Sequence, residues 1–234
     1  MACNGQVHVW LRFRAVSIVG ELERKITALQ VQKRNPNRVN VYLDGEFAFG
    51  LARIVAAWLQ IDQRLSPGKI ADLQAQDSGE VALQRALNLL SYRPRSESEL
   101  SEALRKHEIS PEIIQSTLAR LRENHLLDDP VFARKWVENR TEFRPRGARL
   151  LRLELRRKGV REEHIAPALA GLDETSLAYQ AAAKKFSRQH FSDPAEFRKK
   201  VYSFLARRGF QYDQIRAAAD QLWRELTNPT EELR

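Results

Sequence analysis

An internal repeat constrains the fold of this chain more than any other feature. Residues 92–95 read Tyr-Arg-Pro-Arg, and residues 143–146, 51 positions later, read Phe-Arg-Pro-Arg. Leu100 and Leu104 follow the first copy at the spacing with which Leu151 and Leu155 follow the second. Similarly spaced apolar residues return about one period later, from 201 to 222. A fixed period of this kind predicts one structural unit used three times.

Each unit is predicted to consist of three short helices around a small apolar core. Helix start signals support this, for example Ser96 followed by Glu99 and the Ser110-Pro111 pair. Gly159 and Gly209 stand where second helices should end, because glycine adopts the left-handed backbone most easily. The matching residue of the first unit is Glu108, so we expect that helix to end in another way. The predicted helices lie near 79–91, 97–107 and 111–124, then 130–142, 147–158 and 162–171, then 174–188, 194–208 and 212–226.

Strand signals are confined to the region before the repeats. Residues 38–43 alternate polar and apolar side chains, and Asp44-Gly45 is a strong signal for a hairpin turn. We therefore expect a three-stranded meander over 26–49, a helix over 51–59, and a helix from Ser66-Pro67 to about Gln74.

The predicted fold class is mostly α. Tandem three-helix repeats, three units with a period of about 50 residues, form an elongated curved array behind a small N-terminal β-hairpin/α cap. The expected divisions are a mobile leader (1–23), the β-meander with its helices (24–78), three repeats (79–128, 129–172 and 173–226) and a tail (227–234).

Positive charge is concentrated in the second repeat. The formal net charge is +9, and residues 129–172 contain 11 basic and 6 acidic side chains. The first repeat, residues 79–128, contains 7 basic and 8 acidic ones. An uneven basic excess indicates an acidic partner, either a nucleic-acid backbone or an acidic groove on a protein.

Other classes of site have no sequence signal. Cys3 is the single cysteine, so no intrachain disulfide can form, which fits a reducing, cytoplasmic environment. No apolar run approaches the roughly 20 residues of a membrane helix. The five histidines lack metal-ligand spacing. We therefore expect no enzymatic activity, no metal and no cofactor.

An arginine stripe is the sharpest candidate for a binding surface. Arg149, Arg152 and Arg156 fall on one side of the helix predicted over 147–158, and Glu154 is the one acidic residue in that segment. Arginine binds phosphate or carboxylate through two parallel hydrogen bonds. A solvated helix face is the alternative, but poor local neutralisation favours a functional stripe.

The two Arg-Pro-Arg corners are a second candidate. Proline fixes φ and stiffens these turns, so the arginines beside it would be held at corresponding corners of neighbouring units. The neighbouring aromatic residues Tyr92, Phe143 and Trp136 could stack on bases, but we expect them to pack between units. The basic pair Lys184-Lys185 fits a solvated face.

Taken together, these segments resemble the RecX family, bacterial proteins that modulate the RecA recombinase. The resemblance covers roughly residues 24–226. It depends on residues 41–49 (Val-Tyr-Leu-Asp-Gly-Glu-Phe-Ala-Phe), 92–96, 126–133, 143–147 and 155–160. The third repeat departs from it, because residues 189–194 replace the Arg-Pro-Arg corner, and the segment before Glu23 has no match.

The resemblance implies tandem three-helix repeats and a non-catalytic function in recombination, DNA repair and the SOS response. The expected partner is the RecA nucleoprotein filament, bound in its groove. The expected effect is mainly inhibition of ATP hydrolysis, strand exchange and co-protease activity by a monomer. Direct binding of single- or double-stranded DNA stays open, as do two alternatives, a DNA-binding protein that acts without RecA and a helical scaffold for another acidic protein. The candidate partner- or DNA-binding residues are Arg93, Arg95, Arg140, Arg144, Arg146, Arg149, Arg152, Arg156, Arg157 and Lys158.

Overall fold

The computed structural model describes residues 22–227, so the predicted leader and tail fall almost entirely outside it. The described residues form ten helices and four strands. They divide into two compact units, one ending at Asp77 and one beginning at Ser78. Within residues 22–227, no helix combines the length and the apolar character needed to span a bilayer.

The first unit is built on an antiparallel sheet. The strands are β1 (Arg24–Gln32), β2 (Asn35–Leu43), β3 (Glu46–Ala52) and β4 (Arg64–Leu65), in the order β3-β2-β1-β4. Asp44 and Gly45 both have positive φ, as the predicted hairpin turn requires. The meander is therefore confirmed, while the short edge strand β4 was not predicted.

The helix predicted over 51–59 is wrong in its extent. Strand β3 continues to Ala52, and α1 covers Arg53–Ala56 alone. Leu51 is fully buried in the sheet core, so its burial favours a longer strand over an earlier helix.

A single helix, α2 (Pro67–Tyr92), replaces the two helices predicted over 66–74 and 79–91. The prediction placed a break near Gly79. Glycine costs a helix only about 1 kcal/mol relative to alanine, and stretches of good helix formers stand on either side, at 73–76 and 82–87. The helix therefore continues through Gly79.

The second unit contains the three predicted three-helix repeats. The first repeat uses α2 with α3 (Glu97–Arg105) and α4 (Pro111–Glu123), and its core includes the buried Leu100 and Leu104. The second has α5 (Asp129–Phe143), α6 (Ala148–Arg157) and α7 (Glu162–Leu169). The third has α8 (Glu174–Phe186), α9 (Pro194–Arg207) and α10 (Tyr212–Thr227). The predicted tandem three-helix organisation is confirmed.

The second helices of all three repeats end on a residue in the left-handed region. Gly159 and Gly209 have φ of +74° and +84°, as predicted. The expectation that Glu108 would break this pattern is wrong, because its φ is +59°. A non-glycine residue loses about 1–2 kcal/mol in this backbone conformation, and the side chain of Glu108 is exposed.

Candidate functional site

The second helices of the first two repeats meet end to end. Ser96 caps the start of α3, and its hydroxyl also donates a hydrogen bond to the carbonyl oxygen of Lys158 at the end of α6. Gly159 follows, and a Cβ built there would overlap the side chain of Ser98. A side chain at position 159 would therefore push the two repeats apart.

The second and third repeats meet in the same way. The backbone N–H of Gly147, at the start of α6, donates to the carbonyl oxygen of Arg208 at 2.9 Å. A Cβ on Gly147 would overlap the backbone of Gly209, and a Cβ on Gly209 would overlap Leu150. Thus each junction places the end of one second helix on the start of the preceding one.

An acidic residue of the following repeat also binds each helix start. The N–H of Glu97 donates to Asp129 Oδ1 at 2.8 Å, and the N–H of Ala148 donates to Glu174 Oε2 at 2.7 Å. Carboxylates are favourable at helix N-termini, where N–H groups lack helical partners. The two junctions therefore share the carboxylate contact and the accepting carbonyl, but the donor to that carbonyl is the Ser96 hydroxyl at the first and the Gly147 N–H at the second. Each junction places a cation, Lys158 or Arg208, beside an Arg-Pro-Arg corner.

At the first corner these cations are neutralised. Arg93 pairs with Glu99 at 3.1 Å, and Lys158 contacts the same carboxylate at 2.8 Å. Burial would raise the pKa of Glu99, but the hydrogen bonds from Arg93 and Lys158 outweigh it and lower the pKa to about 2. Arg95 donates from Nε to the carbonyl oxygen of Leu89. The charge of Arg93 is therefore paired within the protein although its side chain is exposed, and Arg95 is half-buried against the end of α2.

The second corner holds one exposed arginine and one committed to an ion pair. Arg144 is exposed and has no ion-pair partner among residues 22–227. Arg146 pairs with Glu154, which also binds Arg140 at 3.2 Å and accepts a hydrogen bond from Trp136 Nε1 at 2.9 Å. Arg140 lies over the Trp136 ring. Arg140 and Arg146 therefore stabilise the second repeat from within.

A cleft between the second and third repeats gathers six basic side chains. Its volume is about 640 Å³, and the described residues that line it include no carboxylate. Burial lowers the pKa of Arg146, and the nearby charges of Arg140, Arg208 and Arg144 lower it further. We call this the cationic cleft, and its basic residues are Arg144, Arg146, Lys184, Lys185, Arg207 and Arg208.

The predicted arginine stripe lines a different cleft, of about 710 Å³. Glu162, at the start of α7, pairs with Arg152 at 3.0 Å and with Arg156 at 2.9 Å. The expectation of poor local neutralisation is therefore wrong for these two arginines. Arg149 has no ion-pair partner in the described part of the chain, and the same holds for the exposed Arg157.

The aromatic residues are distributed differently from the expectation. Trp136 packs against the core of its own repeat, the second, whereas the expectation placed it between units. Tyr92 and Phe143 do not pack between units, since they are 84% and 57% exposed. More than half of each residue is therefore open to solvent beside an Arg-Pro-Arg corner, and Phe143 also lines the cationic cleft.

Sequence reasoning missed Arg207 and Arg208 and treated Lys184-Lys185 as a solvated face. A usable signal existed for Arg208. It precedes Gly209 as Lys158 precedes Gly159, so the repeat itself predicts a cation at the second junction.

Family models match four consecutive segments of the chain. The Regulatory protein RecX N-terminal domain matches residues 24–66, and the RecX first, second and third three-helix domains match 82–121, 128–169 and 173–219.

Relatives and solved structures agree with these matches. "Regulatory protein RecX" of Bacillus subtilis is 32% identical over 211 residues, which covers 88% of this chain and 80% of the relative. The protein of that name from Clostridium perfringens (strain SM101) is 30% identical, with 87% and 97% covered. A crystal structure of regulatory protein RecX superposes with a TM-score of 0.67 at 30% identity, covering 84% of this chain and 99% of that one. The crystal structure of RecX from Lactobacillus salivarius, at 24% identity and a TM-score of 0.54, shares the fold over 63% of this chain and 97% of its own. The chain therefore belongs to the RecX family of regulatory proteins.

Proposed function

We propose that this protein is a non-catalytic regulator that binds in the groove of the RecA–DNA filament. It mainly inhibits the ATPase, strand-exchange and co-protease activities of RecA. The observation that carries this proposal is the similarity, along 88% of the chain, to a protein named Regulatory protein RecX.

The arrangement of cations supports a polyanionic partner. Arg144, Arg149 and Arg157 are exposed and lack ion-pair partners among residues 22–227, so they keep their full charge for a ligand. They lie on the second repeat or at its junction with the third. Basic side chains that the fold does not neutralise raise the association rate and the affinity for a negatively charged partner.

The repeated junctions supply a second argument. At both junctions the carbonyl oxygen at the end of one second helix accepts a hydrogen bond from the start of the preceding second helix, so the cations of successive repeats are held in a fixed order. A filament also presents its binding surfaces at fixed intervals. Several weak contacts made at once raise the local effective concentration of each, and together they give tight binding.

The experiment is RecA ATP hydrolysis on single-stranded DNA with increasing amounts of the protein. We expect the rate of ATP hydrolysis to fall even when there is much less than one copy of the protein per RecA protomer. Unchanged hydrolysis at equimolar protein would contradict the proposal.

Charge reversal identifies the contacting surface. Arg149→Glu combined with Arg157→Glu removes cations that stabilise no described ion pair, so the fold should be kept. We expect the concentration that gives half-maximal inhibition to rise on the order of tenfold. Arg105→Glu is the matched control, because Arg105 is exposed and pairs only with Glu102 of its own helix among the described residues. Equal effects of the two variants would exclude the second repeat as the specific surface.

The cationic cleft favours a second candidate function, DNA binding without RecA. Its six basic side chains would neutralise phosphates, and binding of bare DNA would then fall steeply with salt. A tight, sequence-selective footprint on DNA without RecA would favour this candidate. Weak, sequence-independent binding together with strong inhibition of RecA would favour the regulator.

A further inference from the structure

We propose that the cationic cleft is a binding site for single-stranded nucleic acid, with phosphates inside the cleft and a base stacked on the ring of Phe143 at its rim. Such a site would add a direct nucleic-acid contact to the proposed binding of the RecA–DNA filament, and its biological role rests on that proposed function.

The charge of the cleft exceeds what the fold needs. Of its six basic side chains, only Arg146 pairs with a carboxylate in the described part of the chain. Burial lowers the pKa of Arg208, and the neighbouring charge of Arg144 lowers it further. These cations therefore repel one another in the folded protein, and a bound polyanion would relieve the repulsion.

The cations are also held in position. Arg208 donates to the carbonyl oxygen of Pro145 at 3.1 Å and lies 4.4 Å from the centre of the Phe204 ring. Lys185 lies 4.6 Å from the same ring, and Lys184 donates to the carbonyl oxygen of Phe143 at 3.3 Å. Side chains fixed in this way lose less conformational entropy when a ligand binds.

The ring of Phe143 gives the cleft an exposed aromatic face on which a base can stack. It is 57% exposed beside cations, where an apolar side chain gains little from the fold. Its backbone is fixed, because α5 ends there and Pro145, which is buried, follows. Proteins that bind single strands combine a basic groove with exposed rings on which bases stack. In a duplex the bases already stack on one another, so this combination favours a single strand.

The first corner serves as an internal comparison. Tyr92 is 84% exposed, and two arginines follow it, as two follow Phe143. There, however, Glu99 binds both Arg93 and Lys158. The residue 51 positions after Glu99 is Leu150, so the second corner has no carboxylate at this place. We therefore assign nucleic-acid binding to the second corner and not to the first.

Fluorescence anisotropy of a labelled dT20 oligonucleotide, with the full chain and no RecA, tests the assignment. Stacking on one ring is worth about 1–3 kcal/mol, so Phe143→Ala should weaken binding roughly 5- to 150-fold, and Phe143→Trp should retain it. Tyr92→Ala, the matched control, should change affinity less than twofold. Arg144→Gln should lower the slope of log K against log salt by about 0.7, the contribution of one phosphate of a single strand.

Three outcomes would overturn the assignment. These are absence of dT20 binding by the unmodified protein, equal losses from Phe143→Ala and Tyr92→Ala, and competition by polyglutamate as effective per charge as that by unlabelled dT20. Both rings are exposed, so neither alanine variant should unfold the protein, and circular dichroism checks this. The assay contains no RecA. A negative result would therefore overturn the nucleic-acid site but not the proposed regulation of RecA, which the ATPase experiment tests separately.

Discussion

Replacing Gly159 by alanine should lower the free energy of unfolding for two reasons, the left-handed backbone at this position and a steric clash at the junction of two repeats. Comparison with Gly171→Ala separates the two. Gly159 has φ of +74°, and a Cβ there would lie 2.2 Å from both Cβ and Oγ of Ser98. Rotation of the serine hydroxyl cannot remove the clash with its Cβ, so the backbone at the junction must move. Gly171 has φ of +78° with nothing within 4 Å of its Cβ position, and it provides the matched control.

The magnitude follows from these two positions. Alanine in the left-handed region costs about 1–2 kcal/mol, and this is the full expected effect of Gly171→Ala on the free energy of unfolding. Overpacking adds about 1–3 kcal/mol, so Gly159→Ala should cost about 2–5 kcal/mol in total.

Urea unfolding followed by far-ultraviolet circular dichroism measures both variants. A double-mutant cycle with Ser98→Gly then isolates the clash, because removing that Cβ should restore about 1–3 kcal/mol to Gly159→Ala. If Gly159→Ala cost no more than Gly171→Ala, or if Ser98→Gly restored nothing, end-to-end docking of α6 on α3 would be refuted.

Two further predictions concern the acidic residues that neutralise candidate cations. Glu162→Gln removes the ion-pair partner of Arg152 and Arg156, so RecA inhibition should strengthen about two- to fivefold if the stripe binds the filament. A titration of ATP hydrolysis measures this effect, and no change would indicate that the stripe is a solvated helix face. The pKa of Glu99 in the folded protein is about 2, below its ordinary value of 4.5, so its stabilisation is fully present above about pH 4.5 and is lost as the pH falls towards 2. Glu99→Gln should therefore flatten the pH dependence of the free energy of unfolding in that window, measured by urea unfolding at several pH values. An unchanged slope would contradict the ion pairs of Glu99 with Arg93 and Lys158.

The repeat organisation could be predicted because apolar spacing reports burial directly. Leu100, Leu104, Leu151 and Leu155 recur at the same positions of two units, and all four are fully buried. Helix ends were predictable where one residue decides them, as at Gly159. The continuity of α2 was not predictable from Gly79, because a cost of about 1 kcal/mol can be outweighed by the helix on either side.

The candidate site was predictable only in part, because neutralisation depends on residues that meet in space. Arg152 and Arg156 lie one turn apart on α6, which the sequence indicates, but Glu162 comes from the next helix. Similarly, Glu99 contacts Lys158 at the junction of the first two repeats, although the two residues are 59 positions apart in the sequence. The cationic cleft forms because the end of α9 lies against the Arg-Pro-Arg corner that precedes α6. No local sequence pattern predicts that contact.

Cosedimentation with RecA filaments assembled on single-stranded DNA tests the central claim most directly. The account predicts that the protein pellets with the filaments, saturates below one copy per RecA protomer, and pellets less when Arg149→Glu and Arg157→Glu are combined, while Arg105→Glu behaves like the unmodified protein. Protein that stays in the supernatant at every filament concentration would contradict it.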